Sequence, residues 1–296
     1  MNNKITKLVS IVIPTYNHGV YLNRALLSVV DQTYKHWEAI VIDNHSTDST
    51  DSVIASFIDP RIKYLKIHNN GVIAKSRNAG IKAAKGEWVA FLDSDDWWAT
   101  DKLATCLSSI SDDVDLIYHD LEIISNKPQF FGRKINKARQ LKKPILIDLL
   151  LNGNAISNSS VIVRKKMLEK IGLIDECKKL VASEDYNTWL KISNLTDQFF
   201  YLPKKLGYYL IHDQSISQKD MSSSYRQATY KFLSALNNEQ KIKLEAHIRY
   251  LSGCFNYLNL NYKKAKKDLL FVLKCSYFKL KVKSLIMIIR IMISIK

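Results

Sequence analysis

The sequence predicts an α/β fold: a mostly parallel sheet flanked by helices, with a helical C-terminal extension. Three observations predict it. Short β-branched runs alternate with segments of helical spacing through the first hundred residues. Polar residues gather just after the first, second and fourth of those runs. The last seventy or so residues change to helical patterning with a large cationic excess. Strand and helix in regular alternation put parallel strands in one sheet with helices packed on it.

The elements follow in order. LVSIVIP (8–14) is a buried strand, and VYLNRALLSVVDQ (20–32) carries Leu22, Ala25, Leu26 and Val29 on one helical face. WEAIVIDN (37–44) is the second strand. STDSTDSVIASFI (46–58) opens with good N-cap residues and reads as a helix. RIKYLKI (61–67) alternates as a strand, VIAKSRNAGIKAAK (72–85) is a helix stopped by Gly86, and EWVAFLD (87–93) is the fourth strand. A helix is expected to begin between 98 and 101, after the acidic stretch FLDSDDWW (91–98). Further on, YRQATYKFLSALNN, KIKLEAHIRYLSGCFNYLNL and YKKAKKDLLFVLKCS read as helices.

Composition fits a folded chain with a core: 47% hydrophobic and 24% charged, with nine Gly and five Pro. The net charge of +16 is uneven, because residues 226–296 hold 15 Lys and Arg against 3 Asp and Glu. Such a segment fits an anionic partner. The terminal stretch LKVKSLIMIIRIMISIK is too short to span a bilayer; it reads either as a core helix or as a helix lying in an anionic membrane interface. The apolar run at 8–14 is too short for a signal-peptide core. Cys106, Cys177, Cys254 and Cys275 have no metal-type spacing and read as buried free thiols of a reducing compartment.

In an open α/β sheet, ligands bind at the carboxyl ends of the strands. Pro14, Thr15 and Tyr16 stand at the first such end, Asp43 and Asn44 at the second, and Asp93, Ser94, Asp95 and Asp96 at the fourth. No GxGxxG or GxxxxGK[ST] loop accompanies them, which argues against a dinucleotide or P-loop site. Three carboxylates in four residues exceed what helix capping needs. Hard oxygen ligands suit Mg²⁺ or Mn²⁺, which bind phosphate oxygens as well.

These residues carry a resemblance. VSIVIPTYNHGVYLNRALLSVVDQTYKHWEAIVIDNHSTDST, NNGVIAKSRNAGIKAAKGEWVAFLDSDD, SNSSVIVRKKMLEKIGLIDE and SEDYNTWLKIS together resemble the family 2 glycosyltransferases, over about residues 8–218. The resemblance implies a Rossmann-like GT-A fold. It implies a catalytic domain over residues 1–220, with a nucleotide-binding half to about 100 and an acceptor half beyond, followed by the basic helical region 221–296. Pro14, Thr15 and Tyr16 would line the base pocket, Asp43 would bond the base, and Arg77 would contact the nucleotide. Asp93, Ser94 and Asp95 would meet ribose and metal-bound diphosphate. Asp95 and His212 would hold Mn²⁺ or Mg²⁺, with Asp93 and Asp96 as further candidates. Asp185 would be the catalytic base and Glu184 its neighbour on the acceptor. Ser215 and Ser217 would belong to a closing loop. His18 and His45 read as local polar residues.

The function implied is inverting, metal-dependent transfer from a nucleotide-sugar, a UDP-sugar, to a hydroxyl of a saccharide or lipid-linked acceptor. The setting implied is bacterial surface-glycan synthesis, in the cytoplasm and peripheral at the inner face of the cell membrane. Two other classes compete: an inactive nucleotide-sugar-binding scaffold, and a basic nucleic-acid-binding protein. The intact Asp93, Asp95 and Asp185 oppose the first. The second leaves the acidic clusters without a purpose, so no nucleic-acid partner is expected. Processive relatives carry QxxRW and several membrane spans, and neither is present.

Overall fold

The computed structural model describes residues 7–125, 135–136, 138–212, 219–275 and 278–294. The chain forms two compact units that interleave in sequence. One holds residues up to 141 with 155–177 and 194–212; the other holds 142–154, 178–193 and 213–296. Two inner segments, 142–154 and 178–193, cluster with the C-terminal helices.

The first unit is built on the alternation read from the sequence. Its opening half runs β1 (Val9–Thr15), α1 (Gly19–Val30), β2 (Trp37–Asp43), α2 (Thr50–Ala55), β3 (Ile62–Lys66), α3 (Ile73–Ala83) and β4 (Trp88–Phe91). Then come β5 (Trp97–Trp98), α4 (Lys102–Ser108), β6 (Leu116–Ser125) and β7 (Ile135–Asn136). The second unit contributes α5 (Ile145–Asn152) and α7 (Glu184–Ser193), while β8 (Ile162–Arg164), α6 (Lys165–Lys170) and β9 (Phe199–Ile211) return to the first. The second unit ends with α8 (Ser222–Thr229), α9 (Asn238–Leu258), α10 (Tyr262–Cys275) and α11 (Phe278–Ser294).

Among the described residues the sheet order is β3-β2-β1-β4-β8-β6-β9-β5, with β7 on β6. The first four strands are parallel, β8 is antiparallel to both neighbours, and β6 and β9 are again parallel. Every residue of β1 and β2 is buried, as expected of strands covered on both faces. Ile11, Ile13, Leu22, Leu26, Val29, Val41, Trp88 and Ala90 share one core cluster. Helix α3 packs on the other face, where a Cβ on Gly80 would come 2.5 Å from Val12 Cγ1 and 2.7 Å from Ile42 Cδ1. Glycine at that position lets the helix sit directly on the sheet.

Two elements depart from expectation. Helix α2 begins at Thr50 instead of 46, because His45 has φ +54° and side-chain bonds from Asn17, Asp43 and Asp48 hold residues 46–48 as a loop. Asp43 accepts from Ser46 N, and Asp48 accepts from Thr50 N and Gly19 N. Trp97 and Trp98 form β5 by pairing with Tyr208 and Gly207 of β9, so α4 starts only at Lys102.

In the second unit, Tyr225 of α8 stacks between Tyr186 of α7 (4.4 Å) and His247 of α9 (5.4 Å). A capping box joins Asn237 and Gln240 at the start of α9. Ala265, Leu269, Met287, Ile288 and Ile291 make the core of α10 and α11. The cysteines are free; only Cys106 is buried, Cys254 and Cys275 are half-buried, and Cys177 is exposed in the irregular stretch before residue 178, against the buried reading. Among the described residues no helix is long and apolar enough to cross a membrane.

Candidate active site

The strand order reverses beside β1. The chain runs from β1 to β2 and β3 on one side, then crosses back to β4 on the other. Loops leaving β1 and β4 therefore part and open a crevice, the expected ligand position in such a sheet. Thr15 pairs in register with Asp43, and Leu92 N bonds Val12 O, so the loop from Asp93 rises next to Pro14 and Thr15. Tyr16 is exposed there, and Thr15 Oγ1 is a buried oxygen without a hydrogen-bond partner among the described residues. A buried hydroxyl left this way fits a site whose ligand completes it.

Each aspartate of the acidic loop has its own partners. Asp93 Oδ1 accepts from Arg77 Nη2 at 2.7 Å and from Asn158 Nδ2 at 3.0 Å. Asp95 Oδ2 lies 2.9 Å from His212 Nε2, and the Asp95 carbonyl accepts from Arg24 Nη2. Asp96 is turned inward. It is 1% exposed and accepts from the Leu210 N–H. Burial first, and the charges of Asp95 and Asp93 next, push its carboxyl well above the usual carboxylate range. Asp96, a further metal candidate from the sequence, is thus buried, with Oδ1 bonded to the Leu210 N–H of β9. Ser94 is buried and its hydroxyl lies 2.9 Å from His18 Nδ1.

Arg77, expected to contact the nucleotide, is 4% exposed and reaches the site through Asp93. Asp43 is fully buried and its oxygens take Ser46 N, Ser46 Oγ and Tyr64 OH. In this arrangement it builds the loop behind β2. Burial and the Asp51 and Asp43 carboxylates hold the Tyr64 phenol above its ordinary range, so it stays a donor.

Metal fit can be judged from Asp95 and His212. Among the described residues no group of three or more His, Cys, Asp or Glu side chains converges as a cage. A carboxylate and an imidazole at 2.9 Å, both partly exposed, nevertheless fit an ion that takes its other ligands from diphosphate and water. Asp93 has one oxygen committed to Arg77 and Asn158.

Several site residues escaped the sequence reading. Tyr21 stacks on His212 at 5.1 Å, and His18 lies 5.8 Å from the same ring, edge to face. Burial lowers the His18 pKa despite nearby carboxylates, which keeps the ring neutral. Its place directly after the first strand end was the available signal. Asn158 lies in SNSS, a stretch that carried the resemblance but to which no role was assigned. His45 stacks on His68 at 3.8 Å, exposed at the edge of β2 and β3.

Glu184 and Asp185 open α7 in the second unit. Glu184 is buried, while Asp185 is partly exposed. Asp185 Oδ1 accepts from Tyr186 N, and Oδ2 lies 3.4 Å from Asn154 Nδ2. Ala182, just before them, has φ +74°, a conformation that costs a non-glycine residue energy and that recurs at functional turns. Trp189 is in the unit's interior. Ser215 and Ser217 lie outside the described residues.

An open α/β sheet that gathers compensated carboxylates at its order reversal, without a glycine-rich loop, is the architecture of a GT-A glycosyltransferase. The model for glycosyl transferase family 2 matches residues 10–172, and the chain belongs to that family. Among its relatives is the Escherichia coli UDP-Glc:alpha-D-GlcNAc-diphosphoundecaprenol beta-1,3-glucosyltransferase WfgD, 33% identical over 62% of this chain and 69% of that protein. Similar folds include S. aureus TarS 1-349 in complex with UDP-GlcNAc (TM-score 0.64, 22% identity, covering 91% of this chain and 81% of that one). Another is the mannosyltransferase PcManGT from Pyrobaculum calidifontis in complex with GDP-Man and Mn²⁺ (TM-score 0.62, 17% identity, covering 94% and 79%).

Proposed function

We propose that this glycosyltransferase moves a sugar, with inversion, from a UDP-sugar to a hydroxyl of a saccharide or lipid-linked acceptor in bacterial surface-glycan synthesis. The convergence of Asp93, Asp95 and His212 beside Thr15 carries the donor half of this reading. The UDP-Glc donor and diphosphoundecaprenol acceptor named for the E. coli relative support the nucleotide and the acceptor class.

In this reading residues 1–220 carry the transferase machinery, and the base lies between Pro14, Thr15 and Tyr16. Asp43, through Ser46 and Tyr64, fixes the loop bordering the base. Arg77 and Asn158 fix the Asp93 carboxylate and aim it at the ribose, with Ser94 positioned beside it by His18. Asp95 and His212 would hold Mn²⁺ or Mg²⁺, which would offset the negative charge that builds on the leaving nucleoside diphosphate. Asp185 takes the proton of the acceptor hydroxyl as that oxygen attacks the anomeric carbon, and Glu184 orients the acceptor. Attack opposite the leaving group inverts the centre in one displacement, with no second carboxylate nucleophile. The basic region 221–296 places the enzyme on the anionic inner face of the cell membrane, where a lipid-linked acceptor would be met.

Binding and hydrolysis of UDP-, GDP- and dTDP-sugars, with and without Mn²⁺, test this on wild type and Asp95→Ala. A metal-dependent signal for a UDP-sugar that the substitution abolishes is expected. Folded protein that binds no donor would overturn the transfer reading, and a donor bound without any turnover would favour the scaffold.

A further inference from the structure

Helix α11 has two apolar faces. Met287, Ile288 and Ile291 are buried in the core it shares with Ala265 and Leu269 of α10. On the other side Val282, Leu285, Ile286, Ile289, Met292 and Ile293 are 40% to 69% exposed. Their spacing follows one stripe of a 3.6-residue helix. At about 100° per residue, Lys281 borders that stripe on one side, and Lys283 and Arg290 border it on the other. Residues 278–294 contain no Asp or Glu. On α10, Lys263, Lys264, Lys266, Lys267 and Lys274 are exposed, and the single carboxylate there, Asp268, is taken by Ser252 Oγ (2.7 Å) and Arg249 (3.7 Å).

We infer that α11 is an in-plane docking helix for an anionic lipid surface: the exposed stripe enters the headgroup–acyl boundary, and Lys281, Lys283 and Arg290 meet the headgroup phosphates. This rests on the membrane-surface part of the proposed function and names the surface that performs it. A spanning role does not fit, because Met287, Ile288 and Ile291 are packed in the core shared with α10. Charge separates lipid from a second copy of the chain. Two copies paired along this stripe would set Lys and Arg borders against each other, with no carboxylate on the helix to answer them. An anionic bilayer supplies both the apolar layer and the counter-charge.

Flotation of the full chain with phosphatidylcholine vesicles, and with equimolar phosphatidylcholine and phosphatidylglycerol, tests the inference. Wild type is expected to float strongly with the anionic vesicles and weakly with the neutral ones. K281Q/K283Q/R290Q should lose about a hundredfold in partition to anionic vesicles and little on neutral ones. L285S/I289S should lose about tenfold or more on both. The serine changes fall on half-exposed positions, and an unchanged thermal midpoint verifies folding. Wild type that stays in the aqueous fraction with both vesicles overturns the inference, as does undiminished flotation of L285S/I289S. A dimer in sedimentation that L285S/I289S turns into a monomer overturns it in favour of a second copy as occupant. Donor hydrolysis is read on the same samples. Hydrolysis without flotation sinks the docking face alone, and flotation without hydrolysis sinks the transfer reading alone.

Discussion

Replacing Lys102 by Met should stabilise the protein, and the gain should fade as pH rises. Lys102 is fully buried at the start of α4; its ammonium lies 3.4 Å from the Trp98 ring centroid and has no hydrogen-bond partner among the described residues. Burial lowers its pKa from 10.5 to about 7, with Cys106 a smaller opposing influence. The neighbouring imidazole of His119 is driven to about 3 by burial and then by the Lys102 charge, so that ring stays neutral. Between those two Lys102 values the unfolded chain binds more protons than the native one, so stability rises with pH across that window. At about 1.36 kcal/mol per pKa unit, burying Lys102 costs about 4 kcal/mol near pH 7 and about 1 kcal/mol near pH 10. Met keeps the volume of the stem and carries no charge. Urea denaturation of both proteins across this range should give curves that converge by about 3 kcal/mol between pH 7 and 10. Parallel curves, or a variant less stable at pH 7, would refute the idea that the Trp98 ring compensates the buried charge only in part.

Other substitutions separate structure from chemistry. Arg77→Leu should cost about 3–5 kcal/mol by leaving Asp93 facing Asn158 alone, and should weaken nucleotide binding by calorimetry. Asp185→Asn should lower kcat by about 10²–10⁴ while donor affinity stays unchanged; an equal loss of both would move Asp185 into donor binding. Gly80→Ala should destabilise by about 1–3 kcal/mol, read as a lower melting temperature, because the new methyl meets Val12 and Ile42. Glu38 is pushed up by burial, but Lys63, Ser10 and the Lys85 N–H outweigh this and hold it below the ordinary range. Its contribution is therefore present above that range and lost as pH falls through the lower native value. Glu38→Gln should flatten the acid side of the stability profile and cost about 1–3 kcal/mol at neutral pH.

What was legible followed from local pattern. Val9–Thr15, Trp37–Asp43, Ile62–Lys66 and Trp88–Phe91 announce themselves because strands buried on both faces need unbroken apolar runs. The crevice was legible too, since parallel strands send their polar ends to one edge. Sequence could not say which of Asp93, Asp95 and Asp96 turns inward. That choice is made by the Leu210 N–H, more than a hundred residues away. Trp97 and Trp98 became a strand for a similar reason, through a partner at 207–208. His18 looked local because the rings it meets, Tyr21 and His212, assemble only in the fold. The grouping of α5 and α7 with the C-terminal helices rests on contacts such as Tyr186 OH to Leu149 O and Asn187 Nδ2 to Ala228 O, which no periodicity announces.

Strand β9 also sets an order of events. It lies beside β6 although more than seventy residues separate them, and it delivers Tyr208 to Trp97, Leu210 to Asp96 and His212 to Asp95. During synthesis the aspartates emerge over a hundred residues before these partners exist. Until β9 arrives, the loop holds three neighbouring carboxyl groups without the Leu210 N–H and the His212 ring, although Arg77 and Asn158 are already made to meet Asp93. Closing so long a chain segment is slow, so the β1–β4 half should assemble first, with its acidic loop unsettled. Ordering of Trp97 would then be the last step of the unit's folding, and its fluorescence would time the moment the crevice becomes competent to take a ligand.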